Sequence, residues 1–273
     1  MAESFQLSLA LKDLQNAVND IPNKWLEPTE LNAVLLGAVL LNVLAFALPD
    51  SDSALGNDNA LSVSWVFSQP ESWLTLQAGL GPLVMSMSPK IEDALSFASQ
   101  VFLGTHEEEW VFNISQRIGL YEVPERWVRF FDLRDPHVGW ECHPDHSKED
   151  NEDYSRVYRA PVAVIVKLRT LRPTRFNAFR TLQFLGKCGS EFRSLLSRGE
   201  RKAVWLLGYW FGLLSRFHGL WWCEHRMERD YRAVYMYLQQ RCPPEEPNDI
   251  DESGIWGEMM KELNSAGLCD VDT

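Results

Sequence analysis

"VWLLGYWFGLLSRFHGLWWCEHRMERDYRAVYMYL", residues 204–238, holds four tryptophans, four tyrosines and two phenylalanines, and it passes abruptly from an apolar run into a dense charge pattern. From Ala203 to Leu214 the side chains are apolar on every face of a helix, a pattern that requires burial all round. Further on, Leu220, Cys223, Met227, Tyr231, Val234 and Leu238 step by three or four, and Glu228 precedes Arg232 by four, the favourable order for a helical ion pair. Arg216 and His218 interrupt the run at its middle, which makes a membrane crossing expensive. The stretch predicts a buried helix feeding an amphipathic one, and with it an all-α fold.

The flanking sequence extends that reading. Phe176, Phe179, Leu182, Leu185, Cys188, Phe192 and Leu195 keep helical spacing, so residues 174–197 are expected to be helical. Just before them AVIVKL, residues 163–168, is open between strand and helix because β-branched residues dominate. VPERWVRFF, residues 123–131, reads as a short helix with Pro124 in its first turn. Residues 90–104 place Ile91, Leu95, Ala98 and Phe102 on one helical face, and residues 64–87 give an aromatic segment and a helix separated by Pro70. LNAVLLGAVLLNVLAFAL, residues 31–48, is at the lower limit of a bilayer span. Asn32, Asn42 and the lack of a basic flank favour a buried bundle helix over insertion. Leu7, Leu11, Leu14, Val18 and Ile21 form a stripe that would pack on the same domain or against a second copy, giving a homodimer. IWGEMMKEL, residues 255–263, is a last short helix. Residues 1–273 are thus expected to form one helical domain of roughly eight to ten helices around a buried apolar central helix. It carries an acidic exposed loop at 141–155 and a peripheral C-terminal tail at 243–273.

Charge is unevenly placed. The net charge is −12, yet residues 156–202 carry 12 basic and 2 acidic groups, against 8 and 24 before them and 6 and 12 after them. Such a basic middle either pairs with its acidic flanks or neutralises phosphates, and the overall negative charge, which repels nucleic acid, favours internal pairing. The five scattered cysteines and an N-terminus without a basic n-region fit a reduced compartment, nucleus or cytoplasm.

Motifs for chemistry are sparse. His137, Cys142, His143 and His146 form a metal-like cluster, but zinc sites come as two spaced pairs and this is one crowded run, so no metal is expected. Nucleophile-elbow, zincin, P-loop and Rossmann patterns do not occur. Neither a catalytic residue nor a cofactor is expected, and a non-enzymatic role is favoured.

Three segments carry a resemblance: LLGAVLLNVLAFALPDSD, SWVFSQPESWLTLQAGLGPLV and KAVWLLGYWFGLLSRFHGLWWCEHRMERDYRAVYMYL. Together, over roughly residues 28–241, they resemble the C-terminal effector domain of fungal zinc-cluster transcription factors of the sterol uptake control type and its secondary-metabolism relatives. The resemblance implies an all-α regulatory domain that senses a sterol-like or other apolar ligand. It implies a pocket lined by Trp205, Tyr209, Trp210, Leu213, Trp221 and Trp222, faced by Trp65, Phe67 and Trp73. The family's DNA reader needs six cysteines with two C-x-x-C halves, and no two cysteines here have that spacing. The expectation is therefore an effector domain without direct sequence-specific DNA binding, acting through a protein partner such as a DNA-binding regulator. An enzyme or carrier of a biosynthetic pathway using the same aromatic pocket is the alternative, and a membrane-attached protein is a third.

Overall fold

The computed structural model describes residues 9–10, 12–17, 27–47, 120–133, 154–182, 184–241 and 250–266. Among them every regular element is helical and none is a strand. In chain order these are α1 (Pro28–Ala47), a 3-10 turn (Leu120–Glu122), α2 (Glu125–Phe130), α3 (Tyr154–Thr170), α4 (Arg175–Leu182), α5 (Phe184–Lys187), α6 (Ser190–Ser197), α7 (Arg201–Ser215), α8 (Glu224–Arg241) and α9 (Ile250–Ser265). Residues 12–17 are also helical, and of the amphipathic stripe expected there only Leu14 lies among the described residues.

The apolar run expected to need burial all round obtains it: residues 203–214 of α7 are each buried. Contacts from α3, α4, α6, α8 and α9 enclose this helix. Glu200 caps its start by accepting the Ala203 N–H at 2.8 Å, which satisfies one of the unpaired first-turn donors, and the Tyr158 hydroxyl donates to the same carboxylate. Gly208 sets the closest approach. A Cβ there would stand 2.7 Å from Val234 Cγ1 on α8 and 3.3 Å from Leu263 Cδ1 on α9. On α8 and the turn before it the expected stripe packs inward, with Cys223, Met227, Val234 and Leu238 at 0–1% exposure and Leu220 and Tyr231 half-buried. Off that stripe lies a feature the spacing did not announce. Arg226, 4% exposed, pairs at 3.4 Å with Asp230, 0% exposed, and donates from Nε to the Phe46 carbonyl near the end of α1. A helix C-terminus leaves its last carbonyls without intrahelical donors, so this guanidinium ties α1 to α8.

Four sequence expectations are revised and one open reading is settled. The first concerns α1, which buries Leu35, Ala38, Leu41, Asn42, Val43 and Phe46, but leaves Leu40 60% and Leu44 43% exposed. Its all-round apolarity therefore does not translate into all-round burial, and no helix among the described residues is long and apolar enough to cross a membrane. The open segment at residues 163–168 resolves as helix. Val162 to Val166 are buried consecutively in α3, which packs on α5, α6 and α7. Burial outweighs the few tenths of a kcal/mol per residue by which β-branching disfavours a helix. The continuous helix expected over residues 174–197 is broken, because Gly189 adopts φ −63°, ψ 164° and caps α6. Such an extended residue cannot continue a helix, and the break lets α5 and α6 both meet α3. Lastly, part of the C-terminal tail joins the core: Met259 and Leu263 of α9 and Ala266 just beyond it are buried. Residues 154–155, placed in the acidic loop by composition, begin α3, and the rest of that loop lies outside the described residues.

Candidate functional site

Most described members of the aromatic wall expected from sequence are buried. Trp205 and Trp210 are 0% exposed, Leu213 3%, Tyr209 5% and Trp222 6%. Trp127, an α2 residue not singled out from the sequence, sits edge-on to Trp205 at 5.2 Å and to Tyr209 at 5.0 Å between ring centroids. Phe184 lies at 5.6 Å from Trp210, and Phe179 stacks on Trp222 at 5.7 Å. Rings at these separations fill the space between them and contribute beyond their area burial. Their polar handles are also taken: Trp205 Nε1 donates to the Met259 carbonyl at 2.9 Å and Trp210 Nε1 to the Thr181 carbonyl at 2.6 Å. These two indoles have no donor left for a ligand hydroxyl. Trp221 departs from the expected wall altogether, being 69% exposed on the turn before α8. Trp65, Phe67 and Trp73 lie outside the described residues, as do His137, Cys142, His143 and His146. Among the described residues no group of three or more His, Cys, Asp or Glu side chains could hold a metal ion.

Beside this core lies a cleft of about 800 Å³, a volume in the range of small-molecule sites. Four helices and the turn after α7 line it: Arg126 from α2, Arg169 from α3, Tyr209, Leu213 and Arg216 from α7 and its C-cap, and Glu258, Lys261, Glu262, Ser265 and Ala266 from α9 and its end. Of the expected pocket residues, Tyr209 and Leu213 reach it.

A single carboxylate organises the cleft. Glu262 is 8% exposed: its Oε2 accepts from Arg126 Nε at 2.8 Å and from Trp127 Nε1 at 3.0 Å, and its Oε1 stands 3.7 Å from Arg169 Nη1 in a longer ion pair. A buried carboxylate needs such partners, and here they come from α2 and α3, so the ion pairs fix α9 against both. The Arg169 guanidinium also stands 5.2 Å from the Trp127 ring centroid and 5.9 Å from that of Tyr209, within cation–π range. Arg216 Nη1 donates to the Arg169 carbonyl at 3.3 Å, which brings the two arginines to one wall. Burial pushes the Tyr209 phenol above its ordinary value of 10.0, opposed by Arg169 and reinforced by Glu262, so at neutral pH the hydroxyl is uncharged.

The described lining contains four cations and two carboxylates, in a chain whose overall charge is −12. Guanidinium groups recognise carboxylate or phosphate oxygens in pairs. Sequence reasoning missed most of these residues because they come from four separate segments. The available signal was Glu262: with Ile255, Met259, Leu263 and Ala266 it shares the helical spacing of an apolar face, where a carboxylate calls for a partner. Comparison with protein-family models, with curated proteins and with solved structures returns no match.

Proposed function

We propose that the chain is a ligand-sensing regulatory domain of the transcription-regulator type, which works through a protein partner in nucleus or cytoplasm. The observation that carries the reading is the position of the cleft. Its floor is Tyr209 and Leu213 of α7, the helix that runs through the aromatic core, and its walls are α2, α3 and α9. A ligand seated there touches four helices at once, so its binding energy is coupled to how they pack, which is what a sensor requires. The filled ring cluster around Trp205 and Trp210 argues for ligand entry at the cleft rather than among the tryptophans. The resemblance described above, with the cysteine spacing of the DNA reader missing, supplies the transcriptional part of the proposal.

The test is a chimera of the full chain with an unrelated DNA-binding module, assayed on a reporter carrying that module's site. Reporter output that responds to a compound, and loses the response when Leu213→Trp fills the cleft floor, is the expected result. A chimera whose output ignores compounds already shown to bind the purified chain would overturn the transcriptional reading.

A further inference from the structure

We infer that the cleft between α2, α3, α7 and α9 takes a small, uncharged, planar molecule whose carbonyl oxygen accepts a hydrogen bond from the Tyr209 hydroxyl while its ring lies against the Arg169 guanidinium. The inference rests on the ligand-sensing reading and names the chemical class of its ligand. It starts from a hydroxyl that the protein leaves unused. Tyr209 is 5% exposed and lines the cleft. Its ring stacks on Trp205 at 5.1 Å, meets the edge-on Trp127 at 5.0 Å and lies under the Arg169 guanidinium at 5.9 Å. These contacts fix the ring, and with it the direction of the phenol, before any ligand arrives. Yet among the described residues the Tyr209 hydroxyl makes no hydrogen bond. The neighbouring indoles are all engaged: Trp205 Nε1 by the Met259 carbonyl, Trp210 Nε1 by the Thr181 carbonyl and Trp127 Nε1 by Glu262. A nearly buried hydroxyl without a partner is unfavourable, and a ligand oxygen in the cleft relieves that cost.

Charge does not select the ligand, because the charges around this hydroxyl are already engaged. Glu262 pairs with Arg126 and Arg169, and Arg216 donates to the Arg169 carbonyl. Glu258 and Lys261 are exposed and stay solvated. The phenol itself is uncharged at neutral pH for the reason given above, so it keeps its proton to donate. A carbonyl oxygen is the acceptor that matches it without bringing a second charge into the cleft. The planar requirement comes from Arg169, which lines the cleft with its side chain 33% exposed. Its guanidinium stands 5.2 Å from the Trp127 ring centroid, and a flat ligand ring laid on the exposed part extends that stack. Leu213 and Ala266 supply apolar lining for the edge of such a ring.

Ligand-observed NMR titration of the full chain with benzamide, nicotinamide and uracil, and with cyclohexanecarboxamide as the saturated counterpart, tests this. Saturable binding of at least one planar probe is expected, several-fold tighter than that of the saturated amide. Tyr209→Phe keeps the ring and removes the hydroxyl, so it weakens that binding about three- to tenfold, the worth of one neutral hydrogen bond. Trp221→Ala, at an exposed position that does not line the cleft, leaves it unchanged. A second readout needs no ligand. Because the hydroxyl has no internal partner, Tyr209→Phe leaves the thermal unfolding midpoint where it is or raises it; a clear fall would reveal an internal bond and overturn the inference. Absence of binding by all three planar probes up to about 10 mM overturns it, as does binding indifferent to Tyr209→Phe or equal for the saturated amide. If a compound of another class binds instead and Leu213→Trp abolishes that binding, the planar carbonyl assignment fails while the ligand-sensing reading stands.

Discussion

Replacing Glu262 with alanine removes one side chain, leaves two donors without their acceptor and takes the ion-pair partner from a third group, Arg169. Their environments decide the cost. Trp127 is 0% exposed, so its indole N–H, now unpaired in the core, costs about 1–3 kcal/mol. The Arg126 side chain is 47% exposed and that of Arg169 33%, so both guanidinium groups can turn to water and each pair contributes about 0–1 kcal/mol. The sum, about 1–5 kcal/mol, is a large fraction of the stability of an ordinary domain. Glu262→Gln keeps an oxygen in place for the indole and loses chiefly the charge, so its cost is about 1 kcal/mol. Urea unfolding followed by tryptophan fluorescence measures both variants, and the ordering wild type, glutamine, alanine is the prediction. Two variants indistinguishable from wild type within about 0.5 kcal/mol would refute the idea that this carboxylate fastens α9 to α2 and α3.

Three further outcomes test the fold. Trp210→Ala empties a fully buried site and is expected to cost about 3–5 kcal/mol, while Trp221→Ala, at a 69% exposed position, changes stability by under about 0.5 kcal/mol; equal costs in thermal unfolding would contradict the packing described. Gly208→Ala should destabilise by about 1–2 kcal/mol despite the better helix propensity of alanine, because its methyl meets Val234, a stiff and fully buried side chain; a rise in melting temperature would show that α7 and α8 can part at no cost. Burial holds the Lys187 ammonium at about 8, below its ordinary 10.5. The unfolded chain thus binds the proton more tightly, and the penalty is full below pH 8 and fades as pH rises towards 10.5. The span sets an upper bound of about 3 kcal/mol, so Lys187→Met should stabilise by about 1–3 kcal/mol at pH 7 and by clearly less at pH 10, as read from denaturation midpoints at the two pH values.

Much of the helical skeleton was legible in one dimension because it depends on local spacing. The apolar run of residues 203–214 demands burial on every side, and the three-and-four stepping from Cys223 to Leu238 demands one apolar face; both demands are met in α7 and α8. Spacing failed where two elements share one rhythm, as across Gly189, since a stripe of apolar residues does not register a single extended residue that turns the chain. It also failed at α1, whose apolar residues run all round while Leu40 and Leu44 stay exposed, because hydropathy states what a face prefers and only the available neighbours state whether it is covered. Of the cleft lining, Tyr209 and Leu213 were picked out for their place in the aromatic stretch, while Trp205 and Trp210 beside them are fully buried.

What the sequence determined by itself was the all-α class, the burial of the helix at 203–214 and the amphipathic face that follows it, since periodicity and side-chain chemistry are properties of short stretches. Tertiary structure decided which charges meet. Arg126, Arg169, Arg216 and Glu262 are far apart along the chain, and their convergence on one cleft depends on how α2, α3 and α9 dock on α7. Local spacing cannot encode that placement, because the attraction between two charges depends on their distance and surroundings in space, which the packing of the helices sets.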